Sequence, residues 1–380
     1  MRKLLSSLSV SLLVAGFVCV GVSSAACEGE GEGEGEEGEG EEGEGEGEGE
    51  GEGEEGEGEG VDCSGTDAVL GSAVVGEGFV VIDSADALTD VNGWAAIATV
   101  HSDDGAGNVA DEVVVLDSGM QVESYGRWPD LALSDAIPDD LAPPDFVAGQ
   151  FVSGFLVATA DRFVAGVTAN FPDGTVAVHD RGARTNTFID ASGNFDATLF
   201  GAGRVLISGL GLGLEGDAGI FGLDDLVTPT PSSIAPFAGN ASSFVATAGD
   251  VVVLGTADAT FVNNFFAVDA AAVEAAFTGT PLVLPAAPAF TRDAAGGVFA
   301  FGDGVAVVDG FLHFGAGGIS HQVLSRDAVD NTVVAADAVD VITTSDVCSE
   351  IWSVAELNGD LLVALKHEGR GGTLVRLHKN

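Results

Sequence analysis

The sequence predicts an all-β fold for residues 61–380, a six- or seven-bladed β-propeller, preceded by a signal peptide at 1–26 and a disordered Glu-Gly low-complexity tether at 27–60. Three observations support the propeller. Apolar hairpins recur along the domain, and a third strand with a shared ending recurs out of phase with them. The domain is also long enough for six or seven units of roughly 45 residues each.

The hairpins consist of two runs rich in Val, Phe, Leu and Ala around a turn of Gly, Asp, Asn or Arg, which is the pattern of antiparallel strands joined by a tight turn. Their turns are spaced by about 40 to 60 residues, and the first interval is about twice the second. A degenerate unit over residues 101–123 would fill that interval. The hairpins occupy residues 74–82, 155–167, 199–207, 244–254, 298–308 and 351–365.

The third strand ends in Asp in most of its copies. A hairpin followed by such a strand, repeated every 40 to 60 residues or so, is what a propeller blade requires. A right-handed β-helix is the alternative architecture, and its rungs would be shorter and more regular than these units. The strand ends at Asp83, Asp117, Asp180, Asp224 and Asp269, more weakly at Asp327, and in a final copy at 374–378 without the Asp.

This strand-then-Asp pattern resembles the LVIVD and YVTN type repeats of bacterial secreted or lipoprotein surface propellers. The resemblance extends over most of residues 69–378, although the copies are irregular and none has the full consensus. It implies a surface recognition or scaffold module.

One helix is predicted within the domain. Asp269 can cap the Ala-rich run Ala270–Phe277, and Gly279 and Pro281 follow it as a stop signal. We expect this helix to lie at a blade edge or in a loop.

The N-terminus has the features of an export signal. Basic residues up to Lys3 precede a short apolar segment that ends in Ser-Ser-Ala-Ala before Cys27. The apolar core is too short for a membrane-spanning helix, which needs about 20 apolar residues. Cys27 resembles the acylated cysteine of bacterial lipoproteins, except that Ser24 stands where that family prefers Leu. The alternative is ordinary signal-peptidase cleavage. We therefore predict an extracytoplasmic protein, either lipid-anchored in the cell envelope or secreted.

The residues after Cys27 form an acidic spacer. Residues 28–60 contain 18 Glu and otherwise only Gly, so like charges repel and no apolar side chain can be buried. The whole chain has a formal net charge of −47, and the domain is itself strongly acidic. This charge argues against nucleic-acid binding and against peripheral docking on anionic lipids, so we expect membrane association only through a lipid on Cys27.

The cysteine count predicts a disulfide. Cys19 leaves with the signal, and Cys27, Cys63 and Cys348 remain in the mature chain. If Cys27 carries lipid, Cys63 and Cys348 can pair, which would join the start of the domain to its last part. Two buried free thiols are the alternative.

Two acidic loops are candidate calcium sites, because several hard oxygen donors lie close together in each. The first contains Asp103, Asp104, Asn108 and Asp111, and the second covers residues 190–196. Neither has the spacing of an EF-hand. Turn formation explains the same residues, since Asp and Asn side chains bond their own backbone in turns.

The other motifs indicate no chemistry. Residues 211–216 match the dinucleotide-binding fingerprint, but another apparent strand follows where a helix is needed. The six histidines are scattered without a close metal-ligand pair, so we expect surface or strand-end positions for them. We predict no catalytic residue from the sequence.

The predicted function is that of a non-enzymatic binding or scaffold module, a monomer that binds a protein or glycan ligand, or a cation, through loops on one face. Two alternatives remain open. The first is an extracytoplasmic hydrolase or lyase whose catalytic residues converge from several blades and therefore leave no local motif. The second is a structural or adhesive surface-layer component.

Overall fold

The computed structural model describes part of the domain. The described residues are 63, 67, 69–83, 94–103, 109–117, 122–128, 155–170, 173–183, 185–192, 196–201, 203–209, 211–212, 219–236, 243–257, 262–310, 312, 316–344, 348–368 and 371–380. The predicted signal peptide and tether lie outside them. Among the described residues, no helix has the length and apolar character that crossing a membrane requires.

The described residues form β-strands almost throughout. The first half contains β1 (Ala73–Val75), β2 (Phe79–Asp83), β3 (Trp94–Asp103), β4 (Val109–Asp117), β5 (Val122–Trp128), β6 (Leu156–Ala158), β7 (Arg162–Asn170), β8 (Asp173–Asp180), β9 (Thr185–Ser192), β10 (Asp196–Phe200), β11 (Arg204–Gly209), β12 (Gly211–Leu212) and β13 (Gly219–Leu223).

The second half contains the single described helix. Its elements are β14 (Pro231–Pro236), β15 (Ser243–Ala248), β16 (Val251–Ala257), β17 (Asn263–Asp269), α1 (Ala270–Phe277), β18 (Phe290–Arg292), β19 (Gly297–Phe301), β20 (Gly304–Asp309), β21 (Gly318–Arg326), β22 (Val333–Ala335), β23 (Val339–Thr344), β24 (Ser349–Leu357), β25 (Asp360–His367) and β26 (Gly371–Lys379).

These strands pair antiparallel into six sheets, which we number I to VI along the chain. Sheet I is β3-β4-β5, sheet II is β6-β7-β8-β9-β12, and sheet III is β10-β11-β13-β14. Sheet IV is β15-β16-β17-β18, and sheet V is β19-β20-β21-β23-β1 with β22 paired to β21. Sheet VI is β24-β25-β26-β2.

The first strand of each sheet lies on the inside, and these inner strands close a ring. β3 lies against β24 and β6, β10 lies against β6 and β15, and β19 lies against β15 and β24. The architecture is therefore an all-β propeller, as predicted, and the β-helix alternative does not describe it.

The blade number differs from the predicted six or seven. Five sheets have four or more strands and form complete blades, while sheet I has three described strands. One cause of the difference is the predicted hairpin at 74–82, which is not a hairpin. β1 pairs with β23 and β2 pairs with β26, so these two strands complete sheets V and VI. The other five predicted hairpins are the two innermost strands of sheets II to VI.

The core lies between neighbouring sheets. The second strands of sheets III to VI, counted from the inside, are buried on both faces, so they are apolar at successive positions instead of alternating with polar residues. In β25, every residue from Leu361 to Leu365 is no more than 1% exposed. Apolar clusters fill the spaces between sheets II and III, III and IV, IV and V, and V and VI. Removing the apolar surface of these clusters from water stabilises the fold by about 25 cal/mol per Å² of surface buried.

Helix α1 packs Val273 and Ala276 against sheets III and IV. The sequence predicts Asp269 as its N-cap. Asp269 does occupy that position, but it makes no side-chain capping bond. Its Oδ1 instead accepts a hydrogen bond of 2.6 Å from Arg326, so the carboxylate links sheet IV to sheet V.

Candidate functional site

Polar side chains from the inner strands meet at the axis of the ring. Asp196 and Thr198 belong to β10, and Glu356 belongs to β24. We call these three residues the axial cluster. They are brought together because alternate residues of an inner strand point toward the axis, where strands far apart in sequence converge.

Asp196 links three sheets through its carboxylate. Its Oδ1 accepts a hydrogen bond from the backbone N–H of Ala197 at 2.9 Å. Its Oδ2 accepts one from Val245 in β15 at 3.2 Å and one from Val298 in β19 at 3.3 Å. The residue is buried, and this burial raises the pKa of Asp196 well above its ordinary value of 3.8. The three N–H donors act in the opposite direction, and the charge of Glu356 raises the pKa further.

Glu356 links sheet VI to sheets III and V. Its Oε1 accepts a hydrogen bond from the N–H of Ala300 in β19 at 2.6 Å, and its Oε2 lies 3.3 Å from the hydroxyl of Thr198. Protein atoms enclose the side chain, and the residue keeps some accessible surface. Desolvation raises the pKa of Glu356 from 4.5 to about 7, although the two hydrogen-bond donors lower it.

The hydroxyl of Thr198 allows either protonation state of Glu356. Its oxygen accepts a hydrogen bond from the N–H of Thr247 at 3.2 Å. When Glu356 is ionised, Thr198 donates its proton to Oε2. When Glu356 is protonated, Oε2 donates to Thr198, and the threonine proton turns to the carbonyl of Leu199 at 3.5 Å. A hydroxyl has one donor and two acceptor positions, so both arrangements are satisfied.

The axial cluster thus acts as a brace between sheets III, IV, V and VI. Its hydrogen bonds also reveal the strand directions, because Asp196 and Thr198 bond Val245 and Thr247 in the same order. The inner strands of sheets III and IV therefore run parallel. Their hairpin turns lie at the same end of the ring as those of sheets V and VI, because Arg326 beside the turn of sheet V binds Asp250 in the turn of sheet IV and the N–H of Gly302 donates to the carbonyl of Gly359. We call this end the turn face and the other the entry face.

Four basic side chains on the turn face are paired with acids. Arg162 lies 2.9 Å from Asp180, Arg204 lies 2.5 Å from Glu274, and Lys379 pairs with Asp303. Arg326 is bound by both Asp250, at 2.8 Å, and Asp269. Exposed acids such as Asp225, Asp327 and Asp330 use one oxygen to bond a nearby backbone N–H and present the rest of the carboxylate to solvent. This part of the surface is consequently acidic.

The ring is closed near the entry face by the first described residues. Cys63 and Cys348 form a disulfide with a Cα–Cα distance of 5.5 Å. The N–H of Ser72 donates to Ser349 Oγ at 2.9 Å, and Ser349 Oγ lies 2.9 Å from His367 Nδ1. Gly71, at φ +60°, fits against these side chains, since a Cβ there would lie 2.0 Å from Ser349 Oγ.

A buried ion pair lies at the other end of the last sheet. Arg376 is fully buried, and its Nε donates to Asp360 Oδ2 at 2.7 Å. His378 Nδ1 lies 2.8 Å from the other oxygen of Asp360. This ion pair connects β25 to β26, the strand that receives β2.

The predicted calcium loops have different outcomes. In the first loop, Asp103 ends β3 and Asp111 lies in β4, with Asp103 opposite Val109 in the register, whereas Asp104 and Asn108 lie outside the described residues. The first site therefore stays a prediction. In the second loop, the carboxylate of Asp196 is bound by three backbone N–H groups, so it serves the brace and not a loop site.

Several histidines lie deeper than the sequence indicates. His179, His321 and His367 are buried. His321 Nε2 lies 3.1 Å from the carbonyl of Phe301 and 3.5 Å from Asp303, and burial lowers its pKa. At residues 211–216, Gly211–Leu212 forms β12, and the next described segment is strand β13.

Sequence reasoning missed Glu356. An acidic residue at an inward position, between the apolar residues Ala355 and Leu357 near the end of β24, was the available signal. Because acids are abundant in this chain, that signal does not stand out.

Comparisons with known proteins give structural likeness only. No family model matches the chain, and no curated protein matches it. The resemblance to LVIVD and YVTN repeats therefore stays a prediction.

Solved structures resemble the chain at low identity. TolB from Acinetobacter baumannii has 10% identity and a TM-score of 0.38, with 77% of this chain and 67% of that chain covered. A structure from a study of two prolyl endopeptidases has 11% identity and a TM-score of 0.37. The match covers 74% of this chain but only 41% of the endopeptidase. A chain of the mitotic checkpoint complex has 12% identity and a TM-score of 0.36, with 82% and 93% covered.

Proposed function

We propose that this chain is an exported, surface-tethered propeller that acts as a non-enzymatic binding or scaffold module. The observation that supports this proposal best is the axial cluster. All four carboxylate oxygens of Asp196 and Glu356 accept hydrogen bonds from the inner strands, and four of the five donors lie in a different sheet from the acid that they bond. The centre of the ring thus holds the blades in place, and the loops are left to contact a ligand.

The disulfide supports export. Disulfides persist in oxidising compartments outside the cytoplasm, and the Cys63–Cys348 pair adds a covalent link to a ring that β1 and β2 already close. The predicted signal peptide, the acylation of Cys27 and the Glu-Gly spacer fit the same location. In this proposal the spacer keeps the rigid domain away from the membrane.

The turn face is the surface we propose for ligand binding. Four of its basic residues are paired with neighbouring acids, while Asp225, Asp327 and Asp330 are exposed. A ligand with basic or cationic groups would be attracted to this surface, and a phosphate-rich ligand would be repelled.

The experiment compares binding with turnover. Fluorescently labelled mature domain is titrated with intact envelope fractions, and the same protein is tested against ester, glycoside and peptide substrates with and without calcium. We expect saturable binding without turnover. A combined Asp225→Asn, Asp327→Asn and Asp330→Asn variant retains the turn-forming oxygens and should bind at least several-fold more weakly. Glu350→Gln removes one carboxylate near the entry face and is the matched control. Equal binding by all three proteins would contradict the proposal.

A hydrolase or lyase is the second candidate, and one observation favours it. Glu356 has a pKa of about 7, and an enclosed carboxyl group with such a pKa is suited to proton transfer. In that case turnover would be found in the substrate panel, and Glu356→Gln would abolish it while the domain remains folded.

A further inference from the structure

Three metal-ligating side chains meet at the disulfide. The Oε2 of Glu368 lies 3.3 Å from Cys63 Sγ, and both cysteine sulfurs and a carboxylate oxygen of Glu368 lie within 4.8 Å of one another. Cys348 is buried, Cys63 is half-buried and Glu368 is exposed. Solvent can therefore reach the group from the glutamate side.

Cys348 and Glu368 lie at the same end of sheet VI, where β24 begins and β25 ends. Ser349 in β24 faces His367 in β25, and the N–H of Glu368 donates to the carbonyl of Cys348 at 3.1 Å. Cys63 comes from the N-terminal segment, whose position is fixed independently by the Ser72 to Ser349 hydrogen bond and by the pairing of β1 with β23. These contacts hold the chain from Ser72 onward beside Ser349, so we expect the three residues to remain neighbours in the reduced protein.

We propose that Cys63, Cys348 and Glu368 form a redox-gated site for a thiophilic divalent cation such as Zn²⁺, which is open only when the disulfide is reduced. Two thiolates, one carboxylate and one water complete the tetrahedral set that zinc prefers. With Zn–S distances of about 2.3 Å, the sulfurs of a tetrahedral site lie about 3.8 Å apart and a sulfur and a carboxylate oxygen about 3.5 Å apart. The distance of 3.3 Å between Cys63 Sγ and Glu368 Oε2 is close to that value, and the two sulfurs have to separate to admit the cation.

The site forms in two steps, reduction of the disulfide and then binding of the cation. A dithiol reductant donates two electrons and two protons to the disulfide, which yields two thiols and the oxidised, cyclic disulfide form of the reductant. The cation then binds both sulfurs and displaces their two protons to solvent. The bound cation would link the same two chain segments that the disulfide links in the oxidised protein. This inference is independent of the ligand that the turn face binds.

Cobalt provides the test, because a thiolate-to-cobalt charge-transfer band appears only when sulfur is a ligand. Cobalt is titrated into the mature chain carrying Cys27→Ser, either oxidised or reduced under anaerobic conditions. We expect one cobalt per chain with a charge-transfer band in the reduced protein, loss of the band on addition of zinc, and no band in the oxidised protein. The Glu residues of the spacer bind cations through oxygen only and cannot produce this band.

Variants in the same background separate the ligands. Cys63→Ser leaves Cys348 as the one sulfur ligand and should reduce the charge-transfer band by about half or more. Glu368→Gln should weaken cobalt binding at least tenfold while the band persists. Glu350→Gln, at the same sheet end but outside the group, should leave binding unchanged. Circular dichroism verifies that each reduced protein remains folded. The proposal is wrong if the folded, reduced chain shows no band, if reduction unfolds the domain, or if Glu368→Gln binds cobalt as tightly as the parent.

Discussion

Replacing Glu356 with Gln should make the domain more stable at neutral and alkaline pH and leave its stability in acid nearly unchanged. The amide oxygen of Gln can still accept the hydrogen bond from Ala300, and its NH₂ group can donate to Thr198 as the protonated acid does. The variant therefore imitates protonated Glu356 at every pH.

The magnitude follows from the pKa. Folding raises the pKa of Glu356 from 4.5 to about 7. Each pKa unit corresponds to about 1.36 kcal/mol, so ionisation of Glu356 in the folded state costs up to about 3.4 kcal/mol. The folded state binds more protons than the unfolded state between these two pKa values, so the wild-type free energy of unfolding decreases as pH rises from 4.5 to 7. Above about pH 7 the wild type has lost the full contribution of about 3.4 kcal/mol to its free energy of unfolding, and below about pH 4.5 it has lost none of it.

The assay is guanidinium unfolding of both proteins between pH 5 and about 8.5, with the disulfide intact and tryptophan fluorescence as the signal. The difference between the two proteins removes the pH dependence that acids outside the axial cluster contribute, whereas Asp196 stays coupled to Glu356 through its charge. We expect the variant to gain about 2 to 3 kcal/mol relative to wild type across this range. Glu350→Gln, in the same strand, should change stability by less than about 1 kcal/mol. If the difference between wild type and Glu356→Gln is constant with pH, the assignment of Glu356 as an enclosed, proton-linked brace is refuted.

Three further perturbations test the brace and the closure. Thr198→Val keeps the shape of the side chain but removes the hydroxyl that bonds the N–H of Thr247 and the Oε2 of Glu356. We expect the free energy of unfolding in denaturant to fall by about 1 to 3 kcal/mol and the pKa of Glu356 to rise further. An unchanged unfolding midpoint would contradict this role. Asp360→Asn leaves the buried guanidinium of Arg376 without its counter-charge and should cost about 3 to 5 kcal/mol, whereas a loss below about 1 kcal/mol would indicate that the ion pair contributes little. Cys63→Ser should lower the free energy of unfolding by about 2 to 5 kcal/mol and make this free energy insensitive to reductant. If the wild type unfolds identically with and without reductant, the disulfide does not constrain the unfolded chain.

The sequence by itself determined the elements whose partners are close along the chain. Five of the predicted hairpins are inner strand pairs because a tight turn brings adjacent apolar runs together and sets their register. The helix at Ala270–Phe277 was predicted for the same reason, from a local run of good helix formers with a stop signal. The cysteine count also indicated the pair that the structure joins.

Only the tertiary structure decided which distant segments meet. The strands within residues 74–82 look like a hairpin, but β1 and β2 find better partners in β23 and β26, because those sheets would otherwise keep unpaired edges. Asp196 lies in a segment with the composition of a calcium loop, but β10, β15 and β19 converge there and surround its carboxylate with backbone N–H donors. Glu356 is raised to a pKa of about 7 by enclosure at the axis, and enclosure depends on strands far apart in sequence. Local chemistry specifies a strand and its turn, whereas the environment of a buried charge exists only after the ring has closed.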